Sequence, residues 1–307
     1  MPPMEWPDSS ELFTPFEAHI DGWQPFQEQV NGLSGAHGSE RFVWRGQSDA
    51  RWGLYSSLYR KLADQLGHPP TEDELVAAEK NLLKLARIEW RLDGVPALQL
   101  FAQMQHVGVP TRLIDVTFNP LIAAWFAVAR SEQTDDQSGR LFAFTDDNRP
   151  LQLHTGWNTN TPRWHRLSGD AARREANWGT GLGRKIWRPP ALHGRIPAQN
   201  AAFIVDGPPV DALDIDGNVP TRRSRWSAAE LRWHASVPMR LARVEEDRLP
   251  RKAPVFTFVI SAAAKREIRF QLEENFGYRF ATVYADIEGL AEYVKAWPGD
   301  ALAGAYR

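Results

Sequence analysis

The sequence predicts an α+β fold, in which strands and helices are mixed without a regular alternation. The chain has 307 residues, of which 43% are hydrophobic and 24% charged. This is the composition of an ordinary globular protein, and the length is sufficient for one large domain. Short runs rich in β-branched and aromatic residues are interspersed with segments of helical periodicity. Because these elements follow no βαβ rhythm, an α+β class is favoured over a doubly wound sheet.

Residues 1–40 are predicted to form an N-terminal helical segment that packs on the rest of the chain. Between Ser10 and Leu33, apolar and polar residues alternate loosely at helical spacing. The apolar residues expected on one side are Phe13, Phe16, Ile20 and Trp23. A first strand is expected from Arg41 to Arg45, between two glycines.

The clearest helix is predicted from Leu75 to Leu92, where apolar residues recur every three to five positions. Thr71 and the acidic residues that follow it have the pattern of a capping box. A second helix is expected from Ala97 to His106, ended by Gly108.

A third helix is predicted from Leu121 to Ala129, with Thr117 or Asn119 as its N-cap. It is apolar all round, so we expect it to be buried. A strand from Arg140 to Thr145 follows. Residues 146–195 show no clean period and are predicted to be an irregular insertion, a type of segment that is often functional.

Four further elements complete the predicted fold. Strands are expected from Ala201 to Val205 and from Val255 to Ile260, on their β-branched and aromatic content. Helices are expected from Lys265 to Asn275 and from Ile287 to Trp297.

The composition excludes several classes of function. The net charge of -2 argues against a protein that holds nucleic acid by overall charge, so any such contact must be a local patch. There is no cysteine, hence no disulfide, thiolate nucleophile or sulfur-based zinc site. The eight histidines show no metal-binding spacing, and we predict no metal. We read no export signal and no membrane span, and expect a soluble, cytoplasmic protein.

Polar residues suggest a ligand site. Arg45 ends a strand and precedes Gly46, and its guanidinium could capture a phosphate or carboxylate, or pair with Asp115. Thr111, Asp115 and Thr117 alternate along one predicted strand face. His106, at the end of a helix, could serve as acid, base or donor, or be structural.

Three segments together resemble the FRG domain, a family named for a Phe-Arg-Gly sequence. The first is Val43-Trp-Arg-Gly-Gln47, the second runs from Gln105 to Thr117 and on into Asn119-Pro-Leu, and the third contains Arg195 and Gln199. Trp44 stands where the family has its name-giving phenylalanine. The resemblance extends from about residue 41 to the C-terminus, so the predicted domain is 41–307.

FRG domains in turn resemble the mono-ADP-ribosyltransferases, which implies a split β-sheet core with surrounding helices and NAD as substrate. In that fold an Arg-Gly on the first strand binds the pyrophosphate of NAD. The candidate NAD contacts implied here are Arg45, Gly46, Gln47, Thr111, Arg112 and Thr117. The candidate catalytic residues are Gln199, His106 and Asp115.

The implied activity is ADP-ribosyl transfer or NAD glycohydrolysis by a toxin-like effector, of bacterial origin and with an anti-phage role. Gln199 stands where the transferases have a glutamate and carries no charge. Another carboxylate would then serve, with Asp115, Asp286 and Glu288 as candidates, or positioning alone would act, or the pocket would bind without chemistry. The alternatives are a non-catalytic nucleotide or nucleic-acid sensor, and a metal-independent nuclease using His106 and His165.

The acceptor of a transferred group could be protein or nucleic acid. Aromatic residues interleaved with Arg and Lys can stack bases and hold phosphates, or simply cover the core. The candidates in 146–195 are Trp157, Trp164, His165, Trp178, Arg184, Lys185, Trp187 and Arg188. The basic stretch 221–226 is a second candidate.

Overall fold

A computed structural model describes residues 3–36, 40–131, 133–146, 159–190, 194–214, 225–244 and 253–296. The strands are β1 (Glu17–Ile20), β2 (Arg41–Gln47), β3 (Ile114–Thr117), β4 (Gly139–Asp146), β5 (Lys185–Trp187), β6 (Ala201–Val205), β7 (Leu213–Asp214), β8 (Arg225–Trp226) and β9 (Val255–Ile260).

The helices surround the sheet. They are α1 (Ser10–Phe13), α2 (Trp23–Ala36), α3 (Ser57–Leu66), α4 (Glu72–Ile88), α5 (Ala97–His106), α6 (Pro120–Val128), α7 (Gly169–Glu175), α8 (Arg195–Ala198), α9 (Ala228–Arg232), α10 (Ala262–Phe270), α11 (Phe280–Val283) and α12 (Ile287–Ala296). A 3-10 turn at Arg163–Arg166 and a π-helical turn at Gln271–Asn275 complete them.

Seven strands form one sheet in the order β1-β9-β4-β2-β3-β6-β5, and β7 pairs with β8 separately. Only the edge pair β1 and β9 is parallel; every other neighbouring pair of the sheet is antiparallel. The described part of the chain therefore has the predicted α+β class. Within it, no helix combines the length and apolar character that a membrane crossing needs.

One face of the sheet is covered by two groups of helices. Over β2, β4 and β9, the side chains of α2, α6 and α10 pack in one apolar cluster. Over β5 and β6, α4 and α5 pack in another, together with Trp164, Trp178 and Trp187. The opposite face is covered mainly by α1, α9 and the segment 235–241. The boundary between the two helix groups lies where β2 neighbours β3.

At that boundary the sheet is weakly joined. β2 and β3 share a single ladder pair, Trp44 with Thr117. By contrast, β2 pairs with β4 over seven residues and β3 with β6 over four. Beyond Trp44 the two strands therefore lose main-chain pairing, and side chains can enter the gap.

Local sequence signals placed most elements well. The capping box of Thr71 and Glu74 is present at the start of α4. Helix α5 has the predicted bounds, Ala97–His106. Gly108 follows it with a left-handed φ of 85°, which stops the helix. Asn119, not Thr117, caps α6, because its side chain accepts a hydrogen bond from the Leu121 amide at 2.9 Å.

Two predicted segments differ in the structure. Residues 1–40 are not purely helical, since Glu17–Ile20 is an edge strand paired with β9. Four residues are too few for periodicity to separate strand from helix, and the pairing partner is distant in sequence. Within the predicted insertion 146–195, Lys185–Trp187 forms the other edge strand of the sheet. Trp157 and residues 221–224 lie outside the described residues.

Candidate functional site

A cavity of about 350 Å³ lies between α5 and α6, on the sheet face that both helices cover. Its volume is at the lower end of the range for small-molecule sites. The lining residues are Trp44, Arg45, Gly46, Ala102, Gln105, His106, Asp115, Val116, Thr117, Ala123, Phe126, Arg195, Ile196, Gln199, Ala201, Phe203 and Tyr284. Three of them are cationic or can become so, and only Asp115 is acidic. We call this space the main cavity.

Arg45 reaches across the gap between β2 and β3. Its Nη1 donates to the backbone carbonyl of Asp115 at 2.8 Å, so the predicted alternative of an ion pair is replaced by a main-chain contact. The Nε of Arg45 is buried without a hydrogen-bond partner in the described structure. Burial lowers the pKa of Arg45, and the charge of Asp115 offsets part of that effect. A partly satisfied guanidinium that faces a cavity is suited to an anion.

Gly46 is required for helix packing rather than for ligand approach. A Cβ at this position would lie 1.9 Å from the carbonyl oxygen of Ala123 and 2.7 Å from the Ala127 amide. Helix α6 can therefore rest directly on β2 only because residue 46 has no side chain. This contact fixes one wall of the main cavity.

Thr117 and Gln199 are held together at the floor of the main cavity. The Thr117 hydroxyl donates to the Gln199 carbonyl at 2.6 Å and accepts from the Asn119 amide at 2.9 Å. The Gln199 side-chain amide donates to the Val283 carbonyl at 3.0 Å. Gln199 lies at the end of α8, just before β6.

His106 lines the main cavity at the end of α5 and lies beside a carboxylate. Its Nε2 is 3.9 Å from Asp286 Oδ2, and Arg195 Nε donates to Asp286 Oδ1 at 2.9 Å. Burial raises the pKa of Asp286, but the Arg195 guanidinium and the Gly289 amide outweigh it and hold that pKa below its usual value.

His106, Asp286 and Glu288 have ligand atoms within 4.8 Å of one another, close enough to hold a metal ion. A metal would have to share Asp286 with the Arg195 guanidinium, which already neutralises that carboxylate. The geometry therefore favours an ion pair at this position.

The Asp115 carboxylate is hydrogen-bonded to the end of α5 through the side-chain amide of Gln105. Gln105 Nε2 donates to Asp115 Oδ1 at 2.8 Å, and the Thr111 hydroxyl donates to Gln105 Oε1. Thr111 itself is buried and does not line the main cavity. It acts by orienting Gln105, which orients the one acidic group of the main cavity.

Arg112 lies away from the main cavity in a buried ion-pair cluster. Its guanidinium donates to Glu72 at 3.0 Å and to Glu79 through Nε and Nη2. Burial and the charge of Glu79 leave the pKa of Glu72 raised to about 7, although the Arg112 guanidinium lowers it. An arginine closed by two carboxylates has no free side to offer a ligand, so its predicted role as an NAD contact has no support in this geometry.

Gln47 is also separate from the main cavity. It is buried, its Nε2 donates to the Gly53 carbonyl at 3.1 Å, and it lines a different cavity near Trp52. Of the nine predicted site residues, six line the main cavity, namely Arg45, Gly46, His106, Asp115, Thr117 and Gln199.

The three described tryptophans of the predicted insertion are core residues. Trp164, Trp178 and Trp187 are all buried, so they offer no stacking surface. His165 is bonded to Glu79 at 2.8 Å in the Arg112 cluster. It therefore does not face His106.

Some lining residues were not among the predicted site residues. Tyr284 stacks under the Arg195 guanidinium at 4.9 Å, and Phe126 contacts Tyr284 edge-on at 5.9 Å between ring centres. Arg195 could have been found, since it stands in the third segment quoted above. Tyr284 follows α11, a single short helix without periodicity, and no sequence signal marked it.

Comparison with known proteins gives one match. Residues 40–136 match the family model of the FRG domain, from the start of β2 to just past α6. The matched segment supplies Arg45, His106, Asp115 and Thr117, whereas Gln199 lies beyond it. No curated protein and no solved structure matches the chain.

Proposed function

We propose that the chain, whose residues 40–136 match the FRG domain, binds NAD in the main cavity and carries out ADP-ribosyl transfer or NAD glycohydrolysis. The observation that carries the proposal is the convergence of Arg45, Asp115 and Gln199 on one cavity. These residues come from three separate parts of the sequence, and a shared cavity is not required by packing alone.

The site offers a distinct role for each part of the substrate. Arg45 would hold a phosphate, since its guanidinium has an unsatisfied donor and no carboxylate bonded to it. Phe126 and Tyr284 would enclose the nicotinamide ring. Gln199 and Thr117 would fix the ribose.

The reaction breaks the bond between ribose C1′ and the nicotinamide nitrogen. The electron pair of that bond goes to the nitrogen, and positive charge develops on the ribose. A water or an acceptor group then attacks C1′ and loses a proton. Asp115 is the acidic group that lines the main cavity, so we assign it the stabilisation of the ribose charge that Gln199 cannot provide.

The finer fold assignment is also a proposal, namely a split sheet like that of the ADP-ribosyltransferases. Its support is the single ladder pair between β2 and β3, with the cavity at the resulting gap. The further expectation of a cytoplasmic, toxin-like effector in bacterial anti-phage defence rests on the resemblance alone.

The test is nicotinamide release from NAD by the purified chain, with labelled ADP-ribose followed on protein and nucleic acid in cell extract. Arg45→Ala should abolish release. Asp115→Asn should lower the turnover number by about 100-fold or more while leaving NAD binding in place. Arg174→Ala, an exposed arginine paired with Asp211, is the matched control and should behave as the wild type.

No release by the folded wild type, over a range of extracts, would contradict the enzymatic proposal. Binding without turnover would then favour a nucleotide sensor. One observation favours that second candidate, namely that the Gln199 amide is neutral and already bonded to Val283. A nuclease that pairs His106 with His165 finds no such support, because His165 is bonded to Glu79 instead.

A further inference from the structure

We infer that Arg60 and Arg45 together hold the phosphate groups of the ligand in a small cavity next to the main one, and that the ligand continues into a third cavity beside Trp52. The ligand would thus be a molecule of two parts joined by phosphate, with one part in each larger cavity. The identification of that molecule as a dinucleotide rests on the proposed function.

The small cavity has a volume of about 150 Å³ and adjoins the main cavity. The two share Arg45, Gln105 and Asp115 as lining residues. Arg45 therefore stands at their junction, whereas Arg60 lines the small cavity and not the main one.

The two guanidinium groups that line the small cavity carry like charges, and the acidic residue in its lining is Asp115, whose carboxylate already accepts from Gln105. Arg60 is exposed, and no salt bridge to it is found in the described part of the chain. Burial lowers the pKa of Arg45, the charge of Asp115 offsets this in part, and the nearby charge of Arg60 lowers it further. An anion between the two arginines would relieve that repulsion.

The N-terminus of α3 adds to the positive potential of the small cavity. Ser56 caps this ten-residue helix, and Ser56 and Ser57 both line the cavity. The Leu58 amide is already bonded to the Thr111 carbonyl at 3.0 Å. The helix therefore contributes mainly through its dipole, while the two arginines supply the direct contacts.

The third cavity, of about 430 Å³, adjoins the small cavity through Tyr55 and Arg60. We call it the aromatic cavity. Trp6 and Trp52 both line it; Trp6 packs on Tyr55 at 4.1 Å between ring centres, and Trp52 is 48% exposed. Exposed aromatic faces near a phosphate site are suited to stacking a base.

Gln47 also lines the aromatic cavity and carries a buried polar atom. Gln47 is 8% exposed, and its Oε1 has no hydrogen-bond partner in the described structure. Buried acceptors are normally satisfied, so this oxygen is free to accept from a donor on a ligand. The neighbouring carboxylate of Asp49 is already bound by Arg51. The aromatic cavity therefore fits a flat ring that carries an amino group.

The experiment measures binding of two probes, inorganic pyrophosphate and ADP-ribose, by titration calorimetry. Wild type should bind both. Arg60→Gln should weaken both by about tenfold or more, because each loses a charged hydrogen bond. Trp52→Ala should weaken ADP-ribose by about tenfold and leave pyrophosphate unchanged, because only the former has a base to stack.

Arg174→Gln is the control variant and should bind both probes as the wild type does, and thermal melting checks that each variant is folded. The inference is overturned if the wild type binds no pyrophosphate, if Arg60→Gln binds both probes normally, or if Trp52→Ala affects both equally. Its failure can be told from that of the proposed function. If pyrophosphate binding depends on Arg60 but no nicotinamide is released, only the proposed activity is refuted. If the Arg60→Gln variant releases nicotinamide at the rate of the wild type, only this inference is refuted.

Discussion

Arg45 and Arg112 are both arginines of the matched segment, yet their surroundings give them opposite roles. Arg112 is 3% exposed and is closed by Glu72 and Glu79. Arg45 meets only a backbone carbonyl and keeps a donor without a partner in the described structure. Because both arginines stand in the motifs quoted for the family, their positions in the sequence could not show which of them faces a ligand. The distinction comes from two glutamates on α4, at least 33 residues away in the chain.

Removal of the Arg112 charge should destabilise the protein without affecting the main cavity. Arg112→Met leaves two buried carboxylates facing each other, and we expect a loss of about 3–5 kcal/mol in the free energy of unfolding. Chemical denaturation measures this directly. A loss below about 1 kcal/mol would show that water reaches the two carboxylates and that the cluster is not closed.

At the scale of elements, the position of α6 depends on two glycines beneath it. A Cβ on Gly46 or on Gly139 would meet backbone atoms of α6 at 1.9 and 2.4 Å. Backbone cannot be displaced as a flexible side chain can. Helix α6 can lie close to the sheet because neither glycine has a side chain. The position of α6 in turn fixes one wall of the main cavity.

Gly46→Ala should lower the free energy of unfolding by at least about 1–3 kcal/mol, because α6 must move outward. Gly32→Ala is the matched control, since Gly32 is exposed in α2 and its Cβ would meet nothing within 4 Å. That variant should be neutral or more stable by up to about 1 kcal/mol. Equal melting temperatures for the two variants would contradict the packing described for α6.

Helices and central strands could be predicted from local signals, whereas the sheet edges could not. The capping residues Thr71 and Asn119 and the glycine stop at Gly108 act within a few residues of each helix end. The edge strand β1 has four residues and pairs with β9, which is far away in the sequence, whereas the edge strand β5 has only three residues, which pair with β6. Their hydrogen bonds have no local signature.

The matched segment 40–136 should not fold alone. It contains β2 and β3, which share one ladder pair, but lacks their main partners β4 and β6. We expect the isolated fragment to show little strand content by circular dichroism and no cooperative melting. A cooperative transition in the fragment would mean that the remaining strands are additions to an independent core.

At the scale of the whole molecule, the folded chain buries ionisable groups, and its free energy of unfolding should therefore depend on pH. Asp206 is 3% exposed and accepts from the amides of Gly179 and Gly207 at 2.7 and 2.8 Å. Burial nevertheless raises its pKa to about 6. The folded protein therefore holds this proton at a pH where the unfolded chain releases it.

The free energy of unfolding should fall as pH rises from about 4 to about 6, by roughly 3 kcal/mol from Asp206. Asp206→Asn stays neutral and lacks this contribution. Guanidinium denaturation at about pH 4 and about pH 7.5 should show the stability of the variant, relative to wild type, increasing with pH. A difference that is independent of pH would contradict a raised pKa at Asp206.

Most of the predicted site residues line the main cavity around Arg45, but the two neighbouring cavities could not be predicted from the motifs. Six of nine predicted residues converge on the main cavity because the motif positions flank the gap between β2 and β3. Gln47 lies at the end of β2, where its side chain donates to the Gly53 carbonyl and lines the aromatic cavity instead. Only the fold brings Arg60 to the small cavity that Arg45 also lines.

The central claim is that NAD binds in the main cavity through Arg45. Titration calorimetry of the folded wild type with NAD, beside Arg45→Ala and Arg45→Lys, tests it most directly. We predict saturable binding by the wild type, a loss of at least about tenfold in Arg45→Lys, and a larger loss in Arg45→Ala, because lysine keeps the charge but not the forked donors. Equal affinity in all three folded proteins, or no binding by the wild type, would contradict the account.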